Sequence, residues 1–265
     1  MNSPTCIWNN IPASPDEYVE FIDSFNYASG RVELSITADS QYAVYLGGKL
    51  AAFGQYSDYP YDKVYDTVDI TEFCAKGENN LKIIVWYFGE NSSTYFVGDA
   101  LLAYEIKCNG KILTQSSENT LSRLSPCYLQ HNCRLVTNQM GFGFSYDVRG
   151  EENNEGFSPG VIVKEDISLR PRPNKKLVLK STVSAKEIKK LSDTEVLFDL
   201  GEEYCGFLEL SVTSDEEQEL TVSFGEHIAD GRVRRLVGGR DFSHSVYLKK
   251  GENRYMNPFR RLACR

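Results

Sequence analysis

The chain has 265 residues, of which 41% are hydrophobic and 12% aromatic, and its formal net charge is −8 at pH 7. This length allows one large or two medium domains with buried cores, and the apolar content excludes a disordered chain. Acidic residues outnumber basic ones on both sides of residue 190, so no part carries the basic surface that nucleic-acid binding needs. No apolar run approaches the roughly 18–20 residues that span a bilayer, and residues 1–17 lack the regions of a signal peptide. We therefore expect no nucleic-acid partner, no membrane partner and a cytoplasmic location.

Residues 30–88 are typical of successive β-strands joined by tight turns. In Val32–Asp39 (VELSITAD) apolar and polar residues alternate strictly, which predicts a strand with one buried and one wet face. Gly47 and Gly48 separate two apolar runs and predict a hairpin turn that requires positive φ angles. Residues 81–88 (LKIIVWYF) are apolar on both faces, so we expect a central strand that buries Ile83, Val85 and Trp86. This pattern predicts a β-sandwich.

Strand signals continue beyond residue 88, although they are interrupted. Asn109-Gly110 joins two apolar runs, and this dipeptide is the strongest short hairpin signal. Residues 138–160 are rich in glycine, acids and amides and predict a long loop at one end of the sandwich. In Arg170–Asn174 (RPRPN) the prolines resist both helix and ladder pairing, so we expect the boundary between two domains from about 170 to 190.

A second β unit is predicted after residue 190. The runs 196–200, 207–212 and 220–224 each alternate, and turn signals separate them. The turn sequence KGEN occurs at residues 76–79 and again at 250–253, each time before a strand. The predicted organisation is therefore two sandwiches in tandem: residues 1–175, a linker at 176–190, and residues 191–265.

The seven cysteines are scattered, odd in number and without a CxxC pair. With no export signal, we expect reduced thiols, several of them in the core. A zinc site built from Cys127, His131 and Cys133 is the sharper alternative, but a fourth ligand is not evident and the spacing is wrong for a finger or ribbon. The sequence therefore predicts no metal and no cofactor.

The segment 55–66 (QYSDYPYDKVYD) interleaves tyrosines with carboxylates, a combination that can stack on a sugar face and hydrogen-bond its hydroxyl groups. The alternative is an ordered loop that covers the sandwich edge. The carbohydrate-binding candidates that we take from this segment are Tyr56, Asp58, Tyr59, Tyr61 and Asp62.

No catalytic set emerges from the residues. Glu226, His227 and Asp230 form a second polar group, but no nucleophile motif such as GxSxG accompanies them, and the end of a strand is the simpler interpretation. No phosphate-binding loop, dinucleotide motif or metal-binding motif is present in the sequence. We therefore predict no catalytic residue within this chain.

Two blocks resemble the N-terminal region of bacterial α-L-rhamnosidases. ITADSQYAVYLGGKLAAFGQY and YDTVDITEFCAKGENNLKIIVWYFG are similar to the family's "ADxxYxLYVNGK", "YDxxDIT", "GEN" and "VWYxG" segments. LFDLGEEYCGFLELSV, VSFGEHIADGRV and FRRLACR are similar to its "DFGxxxxG", "YGE" and "FRYxxx" strands. The resemblance covers most of 30–105 and 195–265, whereas 106–194 is matched only by position. Gly47 stands where the family commonly has Asn, which a Gly-Gly turn tolerates.

This resemblance implies two antiparallel, jelly-roll, galactose-binding-like sandwiches, the first of them carbohydrate-binding-like. Family members carry their catalytic acids on a helical barrel that follows the sandwiches, so no catalytic residue can be carried over. We expect a non-catalytic accessory region of a glycoside hydrolase that supports or shapes the substrate mouth of such a barrel. The expected partners are that catalytic domain of the same polypeptide and a rhamnoside-containing glycan. A free-standing carbohydrate-binding module with exposed aromatic residues and a sandwich that mediates assembly are the alternatives.

The chain stops within what is predicted to be a closing strand, Phe259–Arg265. We expect it to be part of a longer polypeptide, with the second sandwich truncated at its last strand. Leu236, Val237 and Leu262 are then expected to be solvent-accessible or covered by another copy, which favours self-association.

Overall fold

A computed structural model describes residues 5–55, 58–131, 134–164, 167–174 and 178–265. These residues are almost entirely β, which confirms the predicted fold class. Within them, helical structure is limited to two 3₁₀ turns, Thr71–Phe73 and Val148–Glu152. No helix in the described part is long and apolar enough to cross a membrane.

The strands are numbered in chain order. The first half contains β1 (Cys6–Trp8), β2 (Glu17–Tyr27), β3 (Val32–Asp39), β4 (Gln41–Leu46), β5 (Lys49–Gly54), β6 (Lys63–Asp69), β7 (Gly77–Tyr87), β8 (Leu101–Cys108), β9 (Lys111–Gln115), β10 (Leu121–Leu124), β11 (Leu135–Thr137), β12 (Gly141–Phe142), β13 (Ser145–Asp147), β14 (Ser158–Pro159), β15 (Val161–Lys164) and β16 (Leu169–Pro171). The second half contains β17 (Glu187–Lys190), β18 (Val196–Asp199), β19 (Tyr204–Gly206), β20 (Glu209–Ser214), β21 (Gln218–Ser223), β22 (Ile228–Ala229), β23 (Arg232–Val233), β24 (Leu236–Val237), β25 (Arg240–Asp241), β26 (Ser243–Leu248), β27 (Gly251–Met256) and β28 (Leu262–Cys264).

The chain divides into two compact units. The first contains Met1–Pro126, Gln130–Asn132 and Glu152–Lys176, and the second contains Cys127–Leu129, Cys133–Glu151 and Leu177–Arg265. The segment 133–151 therefore lies in the second unit, although the sequence analysis placed it in the first. The reason is a non-local pairing, because β13 runs parallel to β26 and brings its neighbours Phe144 and Val148 into the core of the second unit.

Two sheets form the first unit. One has the order β15-β1-β8-β3-β6-β16, with β9 added to β8, and the other has the order β14-β10-β2-β7-β4-β5. Strand β7 lies between β2 and β4, and Ile83, Val85 and Trp86 are buried, as predicted for a central strand. Apolar side chains from both sheets form one core, since a sheet face that is apolar must be covered by another layer.

The predicted alternation of β3 holds for its apolar face and fails for part of its polar face. Val32, Leu34, Ile36 and Ala38 are all fully buried, as expected. Thr37 and Asp39 on the opposite face are also buried, whereas the sequence analysis expected them to be wet. Asp39 is covered because Lys63 and Tyr95 both bond to its carboxylate.

Both predicted hairpin turns are confirmed. Gly47 and Gly48 have φ angles of 55° and 77°, and Asn109 and Gly110 have 49° and 82°. Two consecutive positive φ angles match the twist of the flanking strands.

The two KGEN sequences form the same turn in both units. The buried Asn79 accepts a hydrogen bond from the backbone N–H of Ala75 at 2.8 Å and donates to the carbonyl groups of Ala75 and Gly77 at 2.7 and 3.0 Å. The buried Asn253 makes the equivalent three bonds, at 2.8 to 2.9 Å, with Lys249 and Gly251. The glycines have φ angles of 97° and 99°, a conformation that needs no Cβ. The repeat is therefore structural.

The predicted boundary region, about 170–190, contains strands. Leu169–Pro171 forms β16, which pairs parallel to β6, although we expected the prolines of 170–174 to resist pairing. The position explains the difference, because β16 is the edge of its sheet, and an edge strand tolerates proline. Further along, Glu187–Lys190 forms β17 and pairs with β18, so 187–190 is also ordered within the predicted linker.

The second unit is built from a three-stranded sheet, β13-β26-β21, and several strand pairs. Its core contains Phe144, Val148, Val246, Leu248 and Tyr255. Leu236 and Val237 are exposed, as predicted. Leu262 is only 5% exposed, so that part of the expectation is wrong, and β28 is paired antiparallel with β19.

Candidate carbohydrate-binding surface

Two tyrosine rings stack on the exposed side of the loop that precedes β6. The backbone N–H of Asp62 donates to the carbonyl of Tyr59 at 2.9 Å and closes a four-residue turn with Pro60 at its second position, where proline is favoured. The turn places the rings of Tyr59 and Tyr61 parallel, with centroids 5.2 Å apart and an interplanar angle of 15°. Their residues are 46% and 83% exposed, so this apolar surface faces solvent.

A second loop adds a third aromatic ring. Phe96 lies 5.6 Å from Tyr59, centroid to centroid, and is 58% exposed. The two loops approach closely at Gly98, where a Cβ would lie 2.7 Å from Asp39 Oδ2 and 3.3 Å from Pro60 Cγ. We call Tyr59, Tyr61 and Phe96 the aromatic platform. Such exposed rings pack against the C–H face of a sugar, while nearby polar groups bond its hydroxyls.

An ion pair lies next to the platform in the chain. The guanidinium of Arg170 donates to both carboxylate oxygens of Asp62 at 2.7 and 2.6 Å. These hydrogen bonds hold the pKa of the Asp62 carboxyl below its ordinary value. Both side chains are about half exposed, so the pair offers charged donors and acceptors at the surface.

A buried polar layer connects the strands below these loops. Lys63 is only 4% exposed, and its ammonium lies 3.3 Å from Asp39 Oδ2 and 2.9 Å from Asp58 Oδ1. Asp58 also accepts bonds from the side chain of Gln55 and the backbone N–H of Val64. Burial raises the pKa of the Asp39 carboxyl, and Lys63 is the largest opposing influence. This layer fixes the base of the loop that carries Tyr59 and Tyr61.

The structure separates the residues that the sequence grouped together. It brings Tyr59 and Tyr61 together, places Asp62 beside them in an ion pair, and joins the Asp58 side chain, 8% exposed, to the polar layer. Tyr56 lies outside the described residues. Sequence reasoning missed Phe96, which a stretch of small and polar residues surrounds; an aromatic residue in such a stretch is the signal that would have found it.

The other polar groups singled out in the sequence are not assembled into a site. His227 is exposed, and Asp230 occupies a tight turn between β22 and β23 with a φ of 53°. The alternative zinc site was built from Cys127, His131 and Cys133. His131 Nδ1 lies 2.9 Å from the carbonyl oxygen of Pro15, and Cys133 lies outside the described residues. Within the described part, no three His, Cys, Asp or Glu side chains cluster as metal ligands would.

Part of the chain matches a family of known proteins. Residues 189–265 match the family model of the bacterial α-L-rhamnosidase concanavalin-like domain. The resemblance to α-L-rhamnosidases is confirmed. A search of curated proteins gave no match.

Solved α-L-rhamnosidases share the fold. The chain matches the GH78 rhamnosidase of Bacillus sp. GL1 with 22% identity and a TM-score of 0.64, covering 95% of this chain and 31% of that one. It matches the Aspergillus terreus enzyme with 18% identity and a TM-score of 0.71, covering 95% and 32%. It matches the Streptomyces avermitilis enzyme, solved in complex with L-rhamnose, with 17% identity and a TM-score of 0.71, covering 97% of this chain and 27% of that one. The chain thus shares its fold with part of these α-L-rhamnosidases and spans about a third of their length.

Proposed function

We propose that this chain is a non-catalytic accessory region of an α-L-rhamnosidase-type glycoside hydrolase, and that it supports or shapes the substrate mouth of a helical catalytic barrel. The observation that carries this proposal is the match of residues 189–265 to a domain family of these enzymes. The proposed partners are a catalytic barrel in the same polypeptide and a rhamnoside-containing glycan. Reading the gene beyond codon 265 tests the proposal: several hundred residues with paired-helix patterning support it, and an unrelated downstream sequence contradicts it.

The proposed function predicts that the chain alone does not hydrolyse aryl α-L-rhamnosides. Glycosidic cleavage needs an acid with a raised pKa that faces a second carboxylate, roughly 5–10 Å away, across a substrate pocket. Of the predicted site acids, Asp58 is taken up by Lys63 and Gln55, and Asp62 by Arg170. The measurement is release of a chromogenic leaving group by the purified chain. Turnover that a single Asp or Glu substitution abolishes would contradict the prediction.

We further propose that the aromatic platform contacts the glycan. Its support is the parallel stacking and exposure of Tyr59 and Tyr61, because contiguous exposed apolar rings mark a surface that packs against a ligand or partner. Calorimetric titration with a rhamnose-containing oligosaccharide tests it. We expect Tyr61→Ala to weaken binding about 2- to 13-fold, which corresponds to about 0.5–1.5 kcal/mol for one aromatic contact.

Phe198 provides a matched control, because it is 49% exposed, similar to Tyr59, but lies in the second unit. Phe198→Ala is expected to leave the affinity unchanged. Equal losses in Tyr61→Ala and Phe198→Ala would mean that the platform has no specific role.

A free-standing carbohydrate-binding module is the second candidate function, and the exposure of the platform favours it. The two candidate functions differ in whether a catalytic barrel is encoded in the same polypeptide. An accessory region is encoded together with a barrel, whereas a free-standing module binds glycan without one.

A further inference from the structure

A polar cleft lies in the first unit, and the residues of the aromatic platform do not line it. It has a volume of about 280 Å³ and is formed by residues 9–11, the end of β10 and the segment 153–158. Small-molecule pockets run from roughly 300 to 1,000 Å³, so this cleft is suited to one ring of a ligand and not to an extended chain. Its polar lining includes Asn9, Arg123, Asn153 and Ser158.

The arginine in this cleft is fully used by the protein itself. The Arg123 guanidinium donates to Glu20 Oε2 at 3.0 and 2.8 Å, to the Asn153 carbonyl at 2.8 Å and its Oδ1 at 3.3 Å, and to the Glu155 carbonyl at 2.7 Å. These five bonds equal the number of N–H groups on a guanidinium. The buried carboxylate of Glu20 balances its charge, so Arg123 shapes the cleft and holds segment 153–155 without offering a cation to a ligand.

Uncharged donors remain available in the cleft. Asn9 is 97% buried, and its Oδ1 accepts the backbone N–H of Ile11 at 3.0 Å. Among the described residues, the Nδ2 groups of Asn9 and Asn153 and the hydroxyl of Ser158 donate no hydrogen bond within the protein. These N–H and O–H groups can therefore donate to a ligand in the cleft.

The remaining lining includes three apolar residues and one carboxylate residue. Ile11, Leu124 and Pro126 supply the apolar wall, and Ile11 is 49% exposed. Glu155 is the one carboxylate residue that lines the cleft. A lone carboxylate repels an anion and is too few ligands for a metal ion.

We propose that this cleft binds a single neutral sugar ring, with amide and hydroxyl groups bonding its hydroxyls and the apolar wall covering its C–H face. The inference rests on the proposed carbohydrate function of the chain and adds a second site to the platform. Uncharged donors with an apolar wall are the usual arrangement of a site that recognises a neutral polar ligand.

Asn9→Asp is the sharpest test, because it preserves the shape of the side chain and the acceptor for Ile11 N–H while it removes both N–H donors. We expect at least a tenfold loss of affinity for the best ligand in a calorimetric panel of neutral monosaccharides that includes L-rhamnose. Ser158→Ala is the second variant, should the new carboxylate unfold the protein, and we expect a 3- to 10-fold loss. D-glucuronate is expected to bind more weakly than its neutral counterpart, because Glu155 repels its carboxylate.

Tyr61→Ala distinguishes the two sites. Monosaccharide binding that Asn9→Asp and Ser158→Ala reduce and Tyr61→Ala preserves supports the cleft. Binding that only Tyr61→Ala reduces, preferential binding of D-glucuronate, or binding of no sugar in the panel overturns it. The accessory function is decided separately by the sequence that follows codon 265, so failure of the cleft does not decide that proposal.

Discussion

At the scale of single residues, one buried histidine makes the stability of the second unit depend on pH. His244 is 5% exposed, and its ring centroid lies 4.1 Å from that of Phe144. Neither ring nitrogen has a hydrogen-bond partner among the described residues. Burial, and then the positive charge of Arg260, lowers the pKa of His244 from 6.5 to about 4. Protonation therefore favours the unfolded chain, in which the pKa is higher.

We predict that the stability lost by acidification is smaller in His244→Phe than in the original chain. The stability that neutral His244 contributes is fully present above about pH 6.5 and falls as the pH decreases towards 4, by about 3 kcal/mol in total at 1.36 kcal/mol per pKa unit. Phenylalanine keeps the aromatic packing and cannot be protonated. Urea unfolding between pH 4 and 7.5 measures the difference, with the exposed His227→Phe as the control. An unchanged pH dependence in His244→Phe would contradict this account.

A second residue-scale prediction concerns the polar layer below the platform. Lys63→Met leaves the buried carboxylates of Asp39 and Asp58 without their ammonium partner, which we expect to cost about 3–5 kcal/mol at pH 7. Because the pKa of Asp39 is already raised by burial, mild acid protonates this carboxyl in the variant and reduces the loss. Chemical unfolding at pH 7 and pH 4 measures both effects.

Lys82→Met is the control for Lys63→Met. Lys82 is 38% exposed and pairs with Glu20, which keeps its bonds to Arg123 and Ser125 when the lysine is removed. We expect a loss below about 1 kcal/mol, as for exposed ion pairs. Similar losses in the two variants would show that burial of Lys63 is unimportant.

At the scale of elements, the KGEN turn is one device used twice. Asn79→Asp and Asn253→Asp each keep the acceptor atom and remove both N–H donors from a buried side chain. We expect each to destabilise its own unit by about 1–3 kcal/mol, since two carbonyl acceptors lose their donor. Thermal unfolding followed by hydrogen exchange assigns the loss to a unit. Glu78→Ala and Glu252→Ala, exposed in the same turns, are expected to stay within about 0.5 kcal/mol.

At the scale of the whole molecule, exposed apolar residues of the second unit predict self-association. Ile188 and Phe198 are opposite each other in the pair β17–β18 and are 63% and 49% exposed, and Leu236 is 63% exposed. We expect the sedimentation coefficient to rise with concentration, and Phe198→Glu to reduce this rise because a charge opposes burial at a contact. Thr213→Glu, also exposed, is the control. A monomer at every concentration would contradict the prediction.

The sequence by itself determined the features that depend on neighbouring residues. Alternation in 32–38, the apolar run around Val85 and the two-residue turns at 47–48 and 109–110 are local patterns, and the structure confirms each of them. Such patterns are readable because side-chain direction and φ preference act within a few residues. The family resemblance has the same basis, since it rests on strand and turn motifs.

Tertiary structure alone decided which distant residues meet. Pairing of β13 with β26 and of β16 with β6 joins segments about 100 residues apart, and no local pattern encodes a partner at that distance. The same limit applies to the candidate sites. The five candidate tyrosines and aspartates looked equivalent in sequence. In the structure, Asp58 pairs with Lys63, Asp62 pairs with Arg170, and Phe96 contacts Tyr59 from another loop. Burial and electrostatic pairing are set by neighbours in space, so they appear only when the chain has folded.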